Sequence, residues 1–302
     1  MRSDLIGLDV GGTNIKALAF SIDGEIIAEQ TTPTNDDGSE SWLTRARDLT
    51  SSLLKRVGPG TRVGIAAPGL PAKDGSTIVS MPGRLRGIEG LNWQKWLGLE
   101  SPVPVLNDAQ AALLGESWLG AAKGCSNVVL LTLGTGVGGA VMVDGRLLRG
   151  HLGRAGHLGH SSLNSRGPKD IVNTPGSLED AIGDHSLLRR SAGKFDSTRV
   201  LIAAVRAGDE NAVRIWRDSI HALGVAICTF INLFDPEIVV LGGGIADADQ
   251  ELFRPLQSIL DEFEWRPAGA QVRLLKATLG AKAGAAGAAF AAKLKTGKVA
   301  EL

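Results

Sequence analysis

The chain has 302 residues, 43% hydrophobic and 21% charged, which is ordinary globular composition and long enough for two packed domains. Its 32 basic and 32 acidic residues cancel to a formal net charge of zero, which argues against nucleic acid as an electrostatic partner. Asp4 and Asp9 come too early for a signal-peptide apolar region, no apolar run approaches the roughly 18 residues of a membrane span, and the two cysteines make neither a metal spacing nor a disulfide framework; a cytoplasmic protein without a membrane partner is expected.

The stretch Ile6 to Ile27 reads as strand, glycine turn, strand and, after the hairpin dipeptide Asp23-Gly24, a third strand. Within the polar knot, Gly11 and Gly12 lack a Cβ, so the backbone can bend and bring its N–H groups close to a bound phosphate. Thr13 and Asn14 add side-chain donors, Lys16 adds a charge, and Asp9 is a carboxylate suited to holding Mg²⁺ through water. Helical spacing of Trp42, Leu43, Ala46, Leu49, Leu53, Leu54 and Val57 follows, stopped by Gly58-Pro59-Gly60. A strand over Val63 to Ala67 then runs into Pro68-Gly69, so strand, helix and strand indicate an α/β layer.

A short strand at Pro104 to Leu106 delivers Asn107 and Asp108 to an alanine-rich helix. Both residue types are good helix N-caps and could serve only that purpose. They also fall at the carboxyl end of a strand, where open α/β sheets place their ligands.

Val128 to Leu148 repeats the opening pattern: an apolar strand, a glycine-rich turn, a second strand, Asp144-Gly145 and a third strand. A single glycine hairpin can be turn geometry and nothing more. Two copies, with Thr132 and Thr135 in the second beside Gly134, Gly136 and Gly138, point instead to a polyphosphate held from both sides. Asp9-x-Gly-Gly-Thr13 paired with Leu133-Gly-Thr-Gly-x-Gly-Gly139 resembles the two phosphate loops of the sugar kinase/actin/hexokinase superfamily. In detail the chain is similar to the ROK family (repressors, open reading frames, kinases).

That resemblance implies an α/β fold of two ribonuclease-H-like (actin-like ATPase) domains with a cleft between them. The expected division is a smaller domain of residues 1–117, joined by a C-terminal helix at 290–302, and a larger one of residues 118–289. It also implies ATP and Mg²⁺ as cofactors, with Asp108 as the base that takes the proton from a sugar hydroxyl and Asn107 as a sugar contact. ROK kinases follow a Gly-x-x-x-Pro-Gly turn with a sugar-contacting Pro-Asn pair; here Pro82 is followed by Gly83, and the resemblance lapses at that contact. Most members carry Gly-Glu-x-Gly-His, whereas Gly156-His157-Leu-Gly-His160 has a histidine in place of the sugar-gripping glutamate. An imidazole offers one donor and one acceptor where a carboxylate only accepts, so sugar preference shifts.

The family's zinc motif, Cys-x-Cys-Gly-x-x-Gly-Cys-x-Glu, aligns with Asp170 to Glu179, and its cysteines have become Asp170, Val172 and Ser177. A Cys₃His tetrahedron is thereby excluded and no zinc is expected; another metal site would have to come from His157, His160, Asp170, Asp184 and His185. Glu179 keeps the place of a sugar-binding glutamate. Ala212 to Ile231 makes a long helix with one broad apolar face, and Glu237 to Gly244 is a buried strand whose Gly243 and Gly244 match the family's adenosine-binding turn. Ala281 to Leu294 is a helix of small residues suited to close packing.

The function so implied is ATP-dependent phosphorylation of a hexose, by default glucose at its 6-hydroxyl. Another hexose such as fructose or allose, an N-acetylhexosamine (N-acetylmannosamine or N-acetylglucosamine), and a polyphosphate donor remain open. A non-catalytic sugar sensor is the alternative of a different class, although ROK repressors carry a helix-turn-helix ahead of the first turn, which here starts at Asp9. Family members are commonly dimers or tetramers, so a homo-oligomer, a dimer, is expected.

Overall fold

In the computed structural model, which describes residues 4–294, the first sheet is built outward from β1 (Leu5–Val10). Antiparallel β2 (Asn14–Phe20) and β3 (Ile26–Pro33) lie on one side of it, and β4 (Arg62–Ala67) and later β7 (Val105–Asn107) lie parallel on the other, giving the order β3-β2-β1-β4-β7. Alternate residues of β1 serve opposite faces, as a central strand requires. Ile6, Leu8 and Val10 pack with Trp42, Leu43, Ala46 and Leu53 of α1 (Ser41–Val57). Leu5 packs instead on Ala285, Ala286 and Ala289 of the last helix. Between β4 and β7 the chain forms the small hairpin β5 (Leu70–Pro71) and β6 (Ile78–Ser80) and the short helix α2 (Trp93–Leu97); β7 runs straight into α3 (Asp108–Leu119).

The second sheet repeats the design. β8 (Val128–Leu133) pairs antiparallel with β9 (Val137–Val143), and the short β10 (Arg146–Leu147) follows. The helices α4 (Leu178–Ile182), α5 (Asp184–Arg190), α6 (Thr198–Arg206) and α7 (Glu210–Phe234) come next, then β11 (Ile238–Gly242), α8 (Gln250–Phe263) and β12 (Arg273–Lys276). β11 lies parallel to β8 and β12 parallel to β11, so antiparallel and parallel halves join as in the first sheet. The expected long helix is α7, capped by the Asp209 carboxylate on Ala212 N–H (2.7 Å) and ended by Asp235 in the left-handed region (φ 44°). These are two ribonuclease-H-like α/β units. Among the described residues no helix is long and apolar enough to cross a membrane.

The first unit takes the residues up to Gly124, Gly145–Ala155 and those from Thr278 on; the second takes Cys125–Asp144 and Gly156–Ala277. Segments 118–124, 145–155 and 278–289, assigned to the larger domain from the sequence, thus have their contacts in the first unit. The final helix α9 (Ala283–Lys293) covers the sheet face opposite α1; residues 295–302 of the expected 290–302 helix lie outside the described residues. Buried Glu116 holds this return of the chain, its carboxylate accepting the N–H groups of Ala121 (2.7 Å), Thr278 (3.1 Å) and Leu279 (2.8 Å).

Close approach, as the small residues suggested, is what α9 requires. A Cβ at Gly7 would collide with the carbonyl oxygen of Ala285, and one at Gly287 with that of Ala111 on α3. Gly7→Val is expected to destabilise the protein by about 3 kcal/mol through overpacking, read as a lower urea midpoint. An unchanged midpoint would mean that α9 does not seat on β1 as described.

Candidate active site

In the first unit, β1 and β2 end in the Asp9–Asn14 turn, where pairing register sets Asp9 directly opposite Lys16. Gly11 N–H donates to Asn14 O (3.0 Å), and the Thr34 hydroxyl donates to Gly11 O (2.6 Å). Thr13 and Asn14 stand exposed at the tip. The reason for the glycines differs from the expected sharp bend, because neither Gly11 nor Gly12 has a positive φ. At Gly11 the need is proximity, since a Cβ would press on Asn14 O at 2.9 Å, whereas at Gly12 a Cβ would meet only the movable guanidinium of Arg84.

Lys16 donates to Ala281 O (3.2 Å), and Asp9 lies against Gly284 of α9. Burial first, and then the negative charge of Asp108, raise the Asp9 pKa to about 7 against the opposing pull of Lys16. Two neighbouring carboxylates offer hard oxygen donors of the kind a divalent cation takes.

Asp108 opens α3, but the cap is Asn107, whose Oδ1 accepts Ala109 N–H (3.0 Å) while its Nδ2 donates to Gly69 O (3.0 Å). Asn107 therefore ties strand end, helix start and the Pro68-Gly69 turn together. Relieved of capping, the Asp108 carboxylate is open to solvent and accepts Ala109 N–H at 2.8 Å. Crowding by surrounding protein raises its pKa, and the bonds from Ala109 and Asn107 and the charge of Arg84 pull it back.

Arg84 was not marked by the sequence. Its guanidinium lies against Gly12, its charge acts on Asp108, and its Nε sits 3.7 Å from Asp36 Oδ2. The loop that carries it is held rigidly. Leu85, fully buried, adopts a left-handed φ of 49°, and its N–H donates to both oxygens of Asp36 (3.1 and 3.2 Å). A non-glycine residue kept in that region stores strain of the kind found at working sites. A sequence signal existed only in the pair Arg84 and Arg86 between Gly83 and Gly87, both glycines in positive φ, and it does not single out Arg84.

In the second unit Thr132 faces Gly138 across β8 and β9, the same register place that Asp9 and Lys16 hold in the first. The turn is braced from behind, with Gly134 O accepting Asp184 N–H (3.0 Å) and Thr135 O accepting His185 N–H (2.9 Å). At Gly134 and Gly244 a Cβ would meet nothing, so the backbone borders open space, as a phosphate cradle needs; Gly243 (φ 84°) packs on Leu133. Glu179 approaches Gly136 and accepts Val137 N–H (3.2 Å), placing this sugar-binding candidate beside the turn.

His160 Nδ1 lies 2.9 Å from Asp170 Oδ2 and 4.0 Å from Glu179 Oε1. Burial and the neighbouring His160 lower the pKa of His157, so it stays neutral at pH 7, and its Nε2 is buried with no hydrogen-bond partner. Of the residues named for an alternative metal site, His160 and Asp170 come together with Glu179. Asp184 and His185 serve elsewhere, Asp184 accepting from Thr198 and His185 bridging Thr135 O and Asp180.

Against known proteins, a family model described as the ROK family matches residues 5–295. A glucokinase of Thermotoga maritima is 33% identical over 284 residues, which is 84% of this chain and 86% of that one. The crystal structure of a ROK hexokinase from Thermus thermophilus superposes with a TM-score of 0.82 at 31% identity, covering 97% of this chain and 98% of the other. A ROK family glucokinase from Streptomyces griseus, solved in complex with glucose and AMPPNP, gives a TM-score of 0.76 at 28% identity, covering 97% of this chain and 100% of the other.

Proposed function

This chain belongs to the ROK family, and from that premise and its own site we propose that it transfers the γ-phosphoryl group of ATP to a hexose hydroxyl, the 6-hydroxyl of glucose by default. The observation that carries the reading is the grouping in the first unit: Asp108 feels Arg84, Arg84 lies on Gly12, and Asp9 feels Asp108. Asp108 accepts the proton of the attacking hydroxyl, and its raised pKa suits a base that must release it again. Arg84 and the N–H groups of the Gly11–Asn14 turn stabilise charge on the moving phosphoryl. The turn at Gly134–Gly138 with Thr132 and Thr135 holds the remaining phosphates, and Gly243 and Gly244 border the adenosine. Asn107, His157, His160 and Glu179 orient the sugar. Asp9 would hold Mg²⁺ through water, and the ion would supply charge neutralisation at the phosphates.

Because Asp9 titrates near pH 7, acid and cation compete for it. Protonation removes the charge that attracts Mg²⁺, so Mg-AMPPNP affinity, measured by calorimetry, is expected to fall as pH drops below 7, by up to about tenfold per unit. Asp9→Asn should flatten the profile; a flat wild-type profile would remove Asp9 from cation binding.

One observation favours a second acceptor. The neutral imidazole of His157 stands where the family carries a glutamate, and a ring with one donor and one acceptor suits an N-acetyl group where a carboxylate demands hydroxyl donors. Phosphorus NMR of the product formed from ATP with glucose, or with an N-acetylhexosamine, decides both sugar and position. A phosphomonoester on a primary hydroxyl supports the proposal, and no phosphorylated sugar from any acceptor sinks it.

A further inference from the structure

We propose that Asp170 does here what a metal ion would otherwise do: it is a positioning residue that pins the loop between His160 and Ser177 and decides which nitrogen of His160 carries the proton. Between Ser161 and Gly176, all described, Asp170 is the single buried residue, whereas Ile171 is 83% exposed. The loop thus has a carboxylate where a small apolar core would be expected. Oδ1 accepts the N–H groups of Val172 (3.0 Å) and Thr174 (2.8 Å), and Oδ2 faces Nδ1 of His160 at 2.9 Å. The backbone closes on the same residue, with Asp170 N–H donating to Thr174 O (2.9 Å) and Asn173 N–H to Asp170 O (3.0 Å).

Two N–H donors fill Oδ1 and leave Oδ2 as the acceptor that faces the imidazole, the pattern of an ionised carboxylate. An ionised carboxylate can only accept, so Nδ1 of His160 must donate. In the neutral ring Nε2 then presents a lone pair. A metal bound at Nδ1 would impose the reverse, leaving the proton on Nε2. Against a histidine so metallated, which would donate from Nε2, His160 held by the carboxylate presents an acceptor for a sugar hydroxyl's proton. The inference rests on the kinase reading only for that last step.

The residues present do not fit the family's zinc. Val172 offers no donor side chain, and the Ser177 hydroxyl is occupied in capping α4, accepting Asp180 N–H at 3.3 Å. His160, Asp170 and Glu179 lie within 4.8 Å of one another. A cation among them would nevertheless have to displace the proton between His160 and Asp170, and Glu179 Oε2 already accepts from Val137 N–H.

Nitrogen NMR of histidine-labelled protein, with metal analysis and melting curves, tests this. The wild type should show His160 protonated at Nδ1, bind no stoichiometric zinc, and keep both its spectrum and its melting temperature after EDTA. Asp170→Asn keeps one carbonyl oxygen for Val172 and Thr174 but turns an amide N–H toward His160, so the proton should move to Nε2. The sugar KM should rise about tenfold, with melting close to the wild type. Asp170→Ala should lower the melting temperature and speed amide exchange at Val172 and Thr174. A zinc ion per chain whose removal lowers the melting temperature, an Nε2-protonated wild type, or an unmoved His160 spectrum in Asp170→Asn would each overturn the proposal. If the wild type turned over no sugar the kinase reading would fall, while the spectra and metal analysis would still decide the role of Asp170.

Discussion

Asp108→Asn lowers sugar-dependent turnover by about three orders of magnitude, the range typical of a lost general base, while sugar and Mg-AMPPNP bind within a few-fold of the wild type. The expectation follows from a division of labour at the start of α3. Asn107 caps the helix and ties it to Gly69, so Asp108 can change without loosening the fold. An amide at 108 can still accept Ala109 N–H, now at 2.8 Å. What it cannot do is take a proton. Turnover and equilibrium binding measured on one preparation separate the two roles, and unchanged turnover would take Asp108 out of the mechanism.

Arg84→Met should reduce kcat by about 100-fold, the scale of removing one preorganised charge-stabilising donor, with a smaller change in sugar affinity. Arg84→Lys should recover part of the loss, because it restores the charge without the planar fork. The left-handed Leu85 and its N–H bonds to both oxygens of Asp36 hold the backbone next to Arg84 in place. Equal losses in Arg84→Met and Arg84→Lys with unaltered kcat, all in nucleotide affinity, would make Arg84 a binding residue and nothing more.

The parts of the site legible in the sequence were those coded locally. Two glycine turns after apolar strands, Asn107-Asp108 after a strand, and the apolar face of α7 each declare themselves within a few residues. Asp144-Gly145 behaves as a two-residue hairpin should, with both φ angles positive (51° and 75°). Asp23-Gly24 has the same signature but a different outcome. Only Gly24 has a positive φ, and Ser21 N–H donates to Glu25 O, so Ile22 to Gly24 make a three-residue loop. Local chemistry allowed either turn, and strand register chose between them.

What the sequence could not show depends on chain segments far apart. Arg84 and Gly12 come together only in the fold, so their contact is not visible in either stretch alone. Asp170 was legible as a lost cysteine and a candidate metal ligand, but not as an anchor of the loop, because its three bonds require a folded loop. The extent of the first unit depends on distant segments in the same way. The segment from Thr278 is claimed by Glu116, more than a hundred residues earlier, through bonds to Thr278 and Leu279.

The most direct test of the account is ADP release by the purified chain with Mg-ATP, measured with a panel of hexoses and N-acetylhexosamines and without sugar. The account predicts release that depends on one sugar, is near zero without it, and survives EDTA treatment followed by readdition of Mg²⁺. ATP binding with no sugar-dependent release from any member of the panel would contradict it and leave a sugar-sensing protein in its place.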